Sequence, residues 1–200
     1  MEATTETKKI SYEEFLDQYG EEGAYAEWVD GDVIMAPPVS ERHQDIGRFI
    51  LNILSFYVES RVPGKVFYAP YQMRLEFSSR EPDVFFVAAS HLDRVKDNYL
   101  DGPADMVVEI VSKESQNRDR GDKFFEYESA GIPEYWLIDP IRNQAEFYRL
   151  DAQNHYCYVP LDADGAFHSE AVPGFWLKVS WVWQEPLPSI WDVLREWRLL

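Results

Sequence analysis

Two short apolar runs, each holding one acidic residue, place the strongest constraint on how this chain can fold. They are EPDVFFV (81–87), which contains Asp83, and PADMVVEIVS (103–112), which contains Glu109. Apolar runs of this length predict strands buried within a sheet. An ionised carboxylate is unfavourable in such a setting unless it is paired, hydrogen-bonded or bound to a metal. The two acids therefore indicate a functional site set into the core.

Helical patterns lie on both sides of these runs. A wide apolar stripe at the helical period predicts a long core-facing helix from about residue 41 to 61. Ser11 and Glu14 have the spacing of a capping box ahead of an amphipathic segment. Gly131, followed by Pro133, ends a further helical segment. The predicted helices are 11–20, 41–61, 116–130 and 189–200.

Strand patterns fill the intervening segments. Asp30-Gly31 is a two-residue hairpin signal between two strand-like runs. Alternating and aromatic runs near the end of the chain predict an antiparallel extension of the sheet. The predicted strands are 24–29, 32–37, 65–75, 83–88, 105–111, 134–139, 144–150, 155–161 and 166–172. The pattern predicts one mixed α/β (α+β) domain at 11–200, behind a mobile tail at 1–10.

Composition narrows the class of protein. The chain has 200 residues, and Cys157 is its one cysteine, so we expect no disulfide framework and no cysteine metal cluster. No apolar run approaches the ~20 residues of a membrane span, and the N-terminal sequence lacks the features of a signal peptide. We therefore expect a cytoplasmic protein. The net charge of −17 weighs against nonspecific coating of nucleic acid but leaves room for a local basic groove.

Asp83 and Glu109 together predict a metal site. They lie on candidate strands that follow one another in sequence, so their carboxylates can meet over one edge of the sheet. Carboxylates with backbone oxygens and water suit Mg²⁺. Such an ion can activate an attacking water and neutralise charge that grows on a phosphodiester.

A cation is predicted on the helix that follows Glu109. Asp119, Lys123 and Tyr127 are spaced four apart and so share one helical face. The aspartate can orient the lysine, and the lysine can stabilise the charged phosphate. Simpler interpretations stay open on spacing alone: a strand-entry role for Asp83, a half-exposed strand at Glu109, or a surface ion pair at Lys123.

Five segments, taken in order, carry a resemblance to a known family. They are AEWVDGDVIMAPP, RHQDI, PDVFFV, GPADMVVEIVS and DRGDKFFEYESAGIPEYWLIDP. Together they resemble the Uma-type restriction endonuclease family, within the PD-(D/E)-x-K nuclease superfamily. The resemblance covers about residues 11–180 and is most specific at 103–140. It implies a restriction-endonuclease-like core: a mixed central sheet flanked by helices, with hairpins and antiparallel extensions.

The resemblance also implies roles for individual residues. Asp83 matches the aspartate of the PD element, and Glu109 matches the acid of the (D/E)-x-K element. Val111 stands where that element has lysine. The departure implies that the lysine has moved to the following helix, where Lys123 fits its place. The implied catalytic set is Asp83, Glu109 and Lys123, and the two acids are the implied metal ligands.

Other parts of the resemblance concern supporting residues and partners. Glu27 and His43 match further positions of the family pattern, although a solvent-facing strand residue and a first-turn helix residue explain them equally well. They complete the supporting set with Asp119 and Tyr127. The implied cofactor is Mg²⁺ (or Mn²⁺), the implied substrate is DNA, and a homodimer suits cleavage of both strands.

Other charged and aromatic residues are ambiguous. Arg42, Arg118 and Arg120 can contact phosphates, although lone arginines near a charged loop are usually solvated. The tryptophans can act as stacking platforms for bases, but core or interface packing is the commoner role. These tryptophans are Trp136, Trp176, Trp181, Trp183, Trp191 and Trp197.

Three functions compete at this point. The first is a metal-dependent DNA endonuclease. The second is a degenerate nuclease fold that only binds a partner, which the net charge of −17 and Val111 both make credible. The third is a glycosidase with two catalytic carboxylates, which the aromatic content favours but which gives Lys123 no role.

Overall fold

A computed structural model of the protein describes residues 9–20 and 25–200 and confirms the mixed α/β class. Ser11 and Glu14 form the predicted capping box, and Ser40 caps the long helix. The α-helices are α1 (Tyr12–Tyr19), α2 (Glu41–Arg61), α3 (Lys123–Ser129) and α4 (Ile190–Glu196). A π-helical turn at Arg118–Asp122 leads into α3, and 3₁₀ turns lie at Ala89–Arg94 and Val179–Trp183. In the part of the chain so described, no helix is long and apolar enough to cross a membrane.

The strands are mostly short. They are β1 (Ala26–Val29), β2 (Asp32–Met35), β3 (Gly64–Tyr68), β4 (Gln72–Arg74), β5 (Ser78–Arg80), β6 (Val84–Ala88), β7 (Tyr99–Asp101), β8 (Met106–Ile110), β9 (Glu134–Asp139), β10 (Gln144–Leu150), β11 (Tyr156–Tyr158), β12 (Ala166–His168) and β13 (Trp176–Lys178).

A central sheet holds the two acid-bearing segments. Over the described residues its strand order is β11-β10-β9-β8-β6-β3. β8 and β9 pair in parallel, and the other neighbours pair antiparallel. A parallel pair needs a crossover connection, and here the crossover contains α3. This connection brings Lys123, at the start of α3, back over the sheet next to β8.

Both faces of the central sheet are covered. Val84, Val108 and Trp136 lie on the face that packs against α2. Val107 and Tyr135 lie on the opposite face, against α3. Strands buried on both faces have continuous apolar sequences, which explains why these segments do not alternate. Since side chains alternate along a strand, Glu109 shares the face of Val107 and points towards α3.

A second sheet lies beside the first. Its order, within the described ranges, is β2-β1-β5-β4-β7, and it contains the hairpin predicted around Asp30-Gly31. Asp30 and Gly31 both have positive φ, at 46° and 91°, as this tight turn requires. The sheet contributes Glu27, on β1, to the site described below.

The predicted strand 65–75 is wrong as a single element. β3 pairs with β6 in the central sheet, whereas β4 pairs with β5 and β7 in the second sheet. Pro70 lies between them, and its ring nitrogen cannot donate to a ladder. The apolar sequence pattern continues past Pro70 because β3 and β4 both pack against other strands.

Two other segments differ from the sequence prediction. The predicted helix 116–130 starts as expected, with residues 116–117 α-helical, but the π-helical turn interrupts it before it continues as α3, and it ends before Gly131 as expected. The antiparallel extension is confirmed for β10 and β11, but β12 pairs with β13 outside the central sheet. β5, β7 and β13 were not predicted, since three residues are too few to show a period.

The N-terminal boundary is described only in part. The first eight residues of the predicted tail, 1–10, lie outside the described residues, as do residues 21–24. The Lys9 ammonium lies 2.7 Å from the Asp30 carboxylate, and the Ile10 amide donates to the Gly31 carbonyl at 2.9 Å. These two residues therefore contact the β1–β2 hairpin. The single domain at 11–200 stays a prediction.

The tryptophans mainly pack within the fold. Trp136 is fully buried in the core beneath α2. Trp176, Trp181 and Trp197 have ring centroids 5.3–6.3 Å apart. Trp191 is the exception, since most of it is exposed. These positions favour packing over base stacking for the residues in this cluster.

Gly64 tests the packing at the edge of the central sheet. A Cβ atom placed there lies 2.5 Å from the Phe86 ring and 2.6 Å from the Val87 carbonyl oxygen. Because both neighbours belong to the packed β6 strand, Gly64→Ala is expected to lower the free energy of unfolding by about 1–3 kcal/mol. Urea denaturation measures the change. Gly121→Ala is the matched control, because no atom lies within 4 Å of its added Cβ. Equal midpoints for Gly64→Ala and the wild type would contradict this packing.

Candidate active site

Asp83 and Glu109 lie close together across the β6–β8 pairing. The Ile110 amide donates to Asp83 Oδ2 at 2.7 Å, so the carboxylate just before β6 is held against β8. Glu109 precedes Ile110 on β8 and is only 3% exposed. Both side chains line the same cavity. The structure therefore brings Asp83 and Glu109 together at the end of neighbouring strands, as the two apolar runs predict.

Lys123 meets Glu109 from the helix side. Its ammonium lies 3.0 Å from Glu109 Oε1, 3.1 Å from Glu27 Oε1 and 3.7 Å from Asp119 Oδ1. The residue is 5% exposed, which excludes the surface ion pair that spacing alone left open. The Tyr127 hydroxyl donates to the same Glu109 oxygen at 2.7 Å. Asp119, Lys123 and Tyr127 thus reach the site from one helical face.

The π-helical turn shapes the entrance to α3. The Lys123 amide donates to the Arg118 carbonyl, which is the wider spacing of a π-helix. Asp119, on this turn, is buried and accepts a hydrogen bond from Ser115 at 2.5 Å. The turn therefore fixes Asp119 between the loop after β8 and the lysine.

Glu27 reaches the site from the second sheet. It is buried rather than solvent-facing, and it lies between two cations. Oε1 faces Lys123, and Oε2 accepts from Arg80 at 3.0 Å. Arg80 in turn donates to Glu126 at 2.8 Å. The result is a buried ionic chain that joins the second sheet to α3.

His43 is placed by the first turn of α2. Its Nε2 lies 3.4 Å from Asp83 Oδ2, and its Nδ1 is buried with no partner among the described residues. Burial alone lowers the pKa of His43, but the contact with the Asp83 carboxylate outweighs burial and holds the pKa above its usual value. His43 and the Ile110 amide therefore contact the same oxygen of Asp83 and together hold its carboxylate in place.

The acids around Lys123 outnumber the cations. Burial lowers the pKa of Lys123, but Glu109, Glu27 and Asp119 outweigh burial and hold the pKa above its usual value, so the lysine stays charged. Burial raises the pKa of Glu109 to about 8, because the attraction of Lys123 does not offset burial and repulsion from the other acids. Burial also raises the pKa of Asp119. The site therefore has more carboxyl groups than it keeps ionised, and a bound cation would favour their ionised form.

Glu81 also borders the site, although the sequence motifs did not predict it. It is buried, its amide lies 3.3 Å from Glu27 Oε1, and its own Oε1 has no partner in the described part of the chain. Burial, together with the charge of Glu27, raises the pKa of Glu81 to about 8. A second acid two residues before Asp83 was the available signal. Arg80 gave no such signal, because β5 is too short to predict.

The donor set fits a hard divalent cation in chemistry. Asp119 Oδ1 and Glu81 Oε1 are buried carboxylate oxygens without a hydrogen-bond donor among the residues described. Carboxylate oxygens are the ligands that Mg²⁺ and Mn²⁺ prefer. Across 9–20 and 25–200, however, no three His, Cys, Asp or Glu side chains are grouped as a ready metal-ligand set. A cation there would need oxygens from backbone, water or substrate.

The three arginines proposed for phosphate contact have different surroundings. Arg42 donates to the carbonyls of Val182 and Gln184, at 2.7 and 3.1 Å. Arg120 forms ion pairs with Asp139 and Glu146. Arg118 lines the cavity instead, and its Nε is buried without a partner in the described segments. Arg42 and Arg120 are thus engaged in the fold.

Comparisons with known proteins agree with this architecture. Residues 12–180 match the Uma2 family, whose description is "Putative restriction endonuclease". The chain is also similar to a solved structure titled as a putative nuclease belonging to DUF820 from Anabaena variabilis ATCC 29413. The TM-score is 0.72 at 19% identity, over 87% of this chain and 97% of that chain. None of the curated proteins matches the chain. The structural similarity shows a shared fold, and the resemblance drawn from the sequence motifs is confirmed.

Glu27 makes the stability of the fold sensitive to acid. Burial alone raises its pKa, but Lys123 and Arg80 outweigh burial and lower the pKa from 4.5 to about 2. A carboxyl with a lower pKa in the folded chain stabilises fully above its unfolded value, and this contribution is lost as pH falls towards the folded value. Glu27→Gln is therefore expected to lower the free energy of unfolding by roughly 3 kcal/mol near neutral pH and by less at acid pH.

Urea denaturation at about pH 6 and about pH 3 measures both effects. Glu13→Gln, at an exposed position on α1, is the control for loss of a carboxylate. A Glu27→Gln protein that loses as much stability on acidification as the wild type would contradict the buried ionic chain.

Proposed function

The chain belongs to the Uma2 family of putative restriction endonucleases, and from this premise we propose that it is a metal-dependent endonuclease that hydrolyses DNA phosphodiester bonds. The observation that carries the proposal is the meeting of Asp83, Glu109 and Lys123 in one cavity. One carboxylate just before β6, one on β8 and a helix-borne lysine are proposed for the roles of the PD-(D/E)-x-K elements, and Val111 leaves the usual lysine position apolar.

Asp83 and Glu109 are the proposed ligands of Mg²⁺ or Mn²⁺. Asp83 Oδ2 and Glu109 Oε1 are engaged with protein donors, so Asp83 Oδ1 and Glu109 Oε2 are the oxygens left for a cation. When bound, such an ion supplies an activated water and neutralises charge at the phosphate. Glu81 Oε1 and Asp119 Oδ1 accept no hydrogen bond from the described residues and add further carboxylate oxygens nearby. The excess of carboxylates supports the same assignment.

Lys123 is the proposed stabiliser of the transition state. Its ammonium is fixed by Glu109 and Glu27 and stays charged because burial is outweighed by these acids. A preorganised cation of this kind lowers the energy of the negative charge that develops on a phosphoryl group. Tyr127 holds the shared Glu109 oxygen, and Asp119 borders the lysine on the helix side.

His43 and Glu27 are the proposed supporting residues. His43 restrains Asp83 from α2, and Glu27 links Lys123 to Arg80. Neither residue needs to touch the substrate to matter, because each fixes the position and charge state of a catalytic group. A change at either site should therefore alter catalysis through Asp83 or Lys123.

The proposal extends to the partners of the protein. DNA is the proposed substrate, and a homodimer is proposed by analogy, because two copies related by a two-fold axis suit cleavage of both strands. A cytoplasmic location stays a prediction from the sequence. The family match favours a nuclease over the two-carboxylate glycosidase.

A degenerate binding module is the second candidate function. The deep burial of Lys123 and the absence of a ready metal-ligand set within the described ranges favour it. The net charge of −17 also opposes tight binding of DNA by electrostatics alone. The candidate predicts a folded protein that does not hydrolyse DNA under any metal condition.

Cleavage of circular single-stranded and supercoiled duplex DNA in Mg²⁺ or Mn²⁺ tests the proposed function. Asp83→Asn and Glu109→Gln are expected to abolish cleavage and to weaken Mn²⁺ binding in titration calorimetry, because each removes a ligand charge. Lys123→Ala is expected to slow cleavage by about 10²–10³-fold while Mn²⁺ affinity changes little.

Lys65→Ala, at an exposed lysine on β3, is the control for loss of a positive charge. Wild-type protein that binds Mn²⁺ but cuts neither DNA would favour the binding module. Cleavage that survives in all three variants of the site would exclude these residues from catalysis.

A further inference from the structure

The groups proposed for catalysis lie at the bottom of a cavity. Glu109, Asp119 and Lys123 are almost completely buried, and even the Asp83 side chain is only 22% exposed. The cavity above them has a volume of about 490 Å³. A cavity of that volume suits a ligand of about one or two nucleotides and is too small for a DNA duplex. A scissile phosphate must therefore descend into the cavity to reach them.

One wall of the cavity is apolar. It is formed by the β1–β2 hairpin and the segment that leads into α2, with Tyr25, Ile34, Pro37, Pro38 and Val39 facing the space. Tyr25 is 52% exposed although it borders a buried acidic site. An exposed aromatic ring at the border of this cavity is suited to stacking on a base. A base can reach this wall only if it is not paired inside a duplex.

Few positively charged side chains line the cavity. Among the described residues that line the cavity, Arg118 is the one arginine, and no carboxylate pairs with it. Lys123 is already surrounded by acids. Duplex recognition relies mainly on phosphate contacts, whereas single-strand binding adds stacking of bases on aromatic rings to the contacts of a basic groove. A net charge of −17 opposes the binding of both forms, so stacking of an unpaired base is the contribution that favours the single strand.

We propose that the cavity binds an unpaired DNA strand, with a base stacked on Tyr25 and a backbone phosphate held by Arg118. The inference deepens the proposed function by naming its substrate class, and it rests on the same site. Arg118 serves to position the strand, so that the next phosphate can reach the buried groups.

Binding of a labelled oligonucleotide of about 12 nucleotides, measured by fluorescence anisotropy, tests the proposal. The full chain is used with Ca²⁺, an oxygen-binding cation, in place of Mg²⁺. The single strand is expected to bind at least about tenfold more tightly than a blunt duplex of the same sequence, because only the unpaired base can stack on Tyr25. Equal binding of the two forms, or no binding of either, would overturn the inference.

Substitutions at Tyr25 and Arg118 test the stacking contact and the phosphate contact separately. Tyr25→Ala is expected to weaken single-strand binding by about 5- to 150-fold, and Tyr25→Phe should restore it because stacking needs only the ring. Tyr158→Ala, at another exposed tyrosine, is the control. Tyr25→Ala that binds the single strand as tightly as the wild type would overturn the stacking role.

Arg118→Ala is expected to reduce the slope of log K against log salt concentration by about 0.7, the value for one phosphate contact on a single strand. Arg118→Lys should keep the slope, and Arg48→Ala, which removes an exposed arginine paired with Asp45, should leave it unchanged. A slope unaltered in Arg118→Ala would overturn the phosphate contact.

Cleavage measured in parallel distinguishes this inference from the proposed function. A protein that binds single strands selectively through Tyr25 and Arg118 but never cuts would keep the inference and reject the nuclease. A protein that cuts duplex DNA as well as single strands, with no preference in binding, would keep the nuclease and reject the inference.

Discussion

A buried lysine held among carboxylates organises the site and the elements around it. Lys123 joins Glu109 on the central sheet, Glu27 on the second sheet and Asp119 on the turn before α3. An unpaired charge at this depth would cost several kcal/mol, so each partner must keep its place for the others to be tolerated. The cluster therefore fixes how α3 and the second sheet sit against the central sheet, which apolar packing alone leaves less specific.

The same cluster explains why the site is suited to a cation. Carboxylates exceed the positive groups around the cavity, and burial raises the pKa of both Glu81 and Glu109 to about 8. Protons or a divalent ion can relieve this excess, and the oxygens left free are hard ligands. In the proposed function Glu109 combines two roles, because it pairs with Lys123 and is also one of the two carboxylates that would face a metal ion.

Much of the site follows from local patterns. The placement of Glu109 towards α3 follows from strand alternation with Val107, and the shared face of Asp119, Lys123 and Tyr127 follows from helical spacing. The contacts of Glu27 with Lys123 and Arg80 could not be predicted in this way, because they join two sheets that are distant in sequence. Likewise, the break at Pro70 and the three-residue strand that carries Arg80 become clear only when the pairing partners are known.

Anomalous diffraction from a crystal soaked in Mn²⁺ tests the central claim most directly. An anomalous peak is expected about 2.0–2.2 Å from carboxylate oxygens of Asp83 and Glu109, with Lys123 still paired to Glu109. A peak bound only by surface acids, or a crystal in which Asp83 and Glu109 bind no Mn²⁺ while Lys123 keeps its partners, would contradict it. In that case the carboxylates would serve only to bury the lysine.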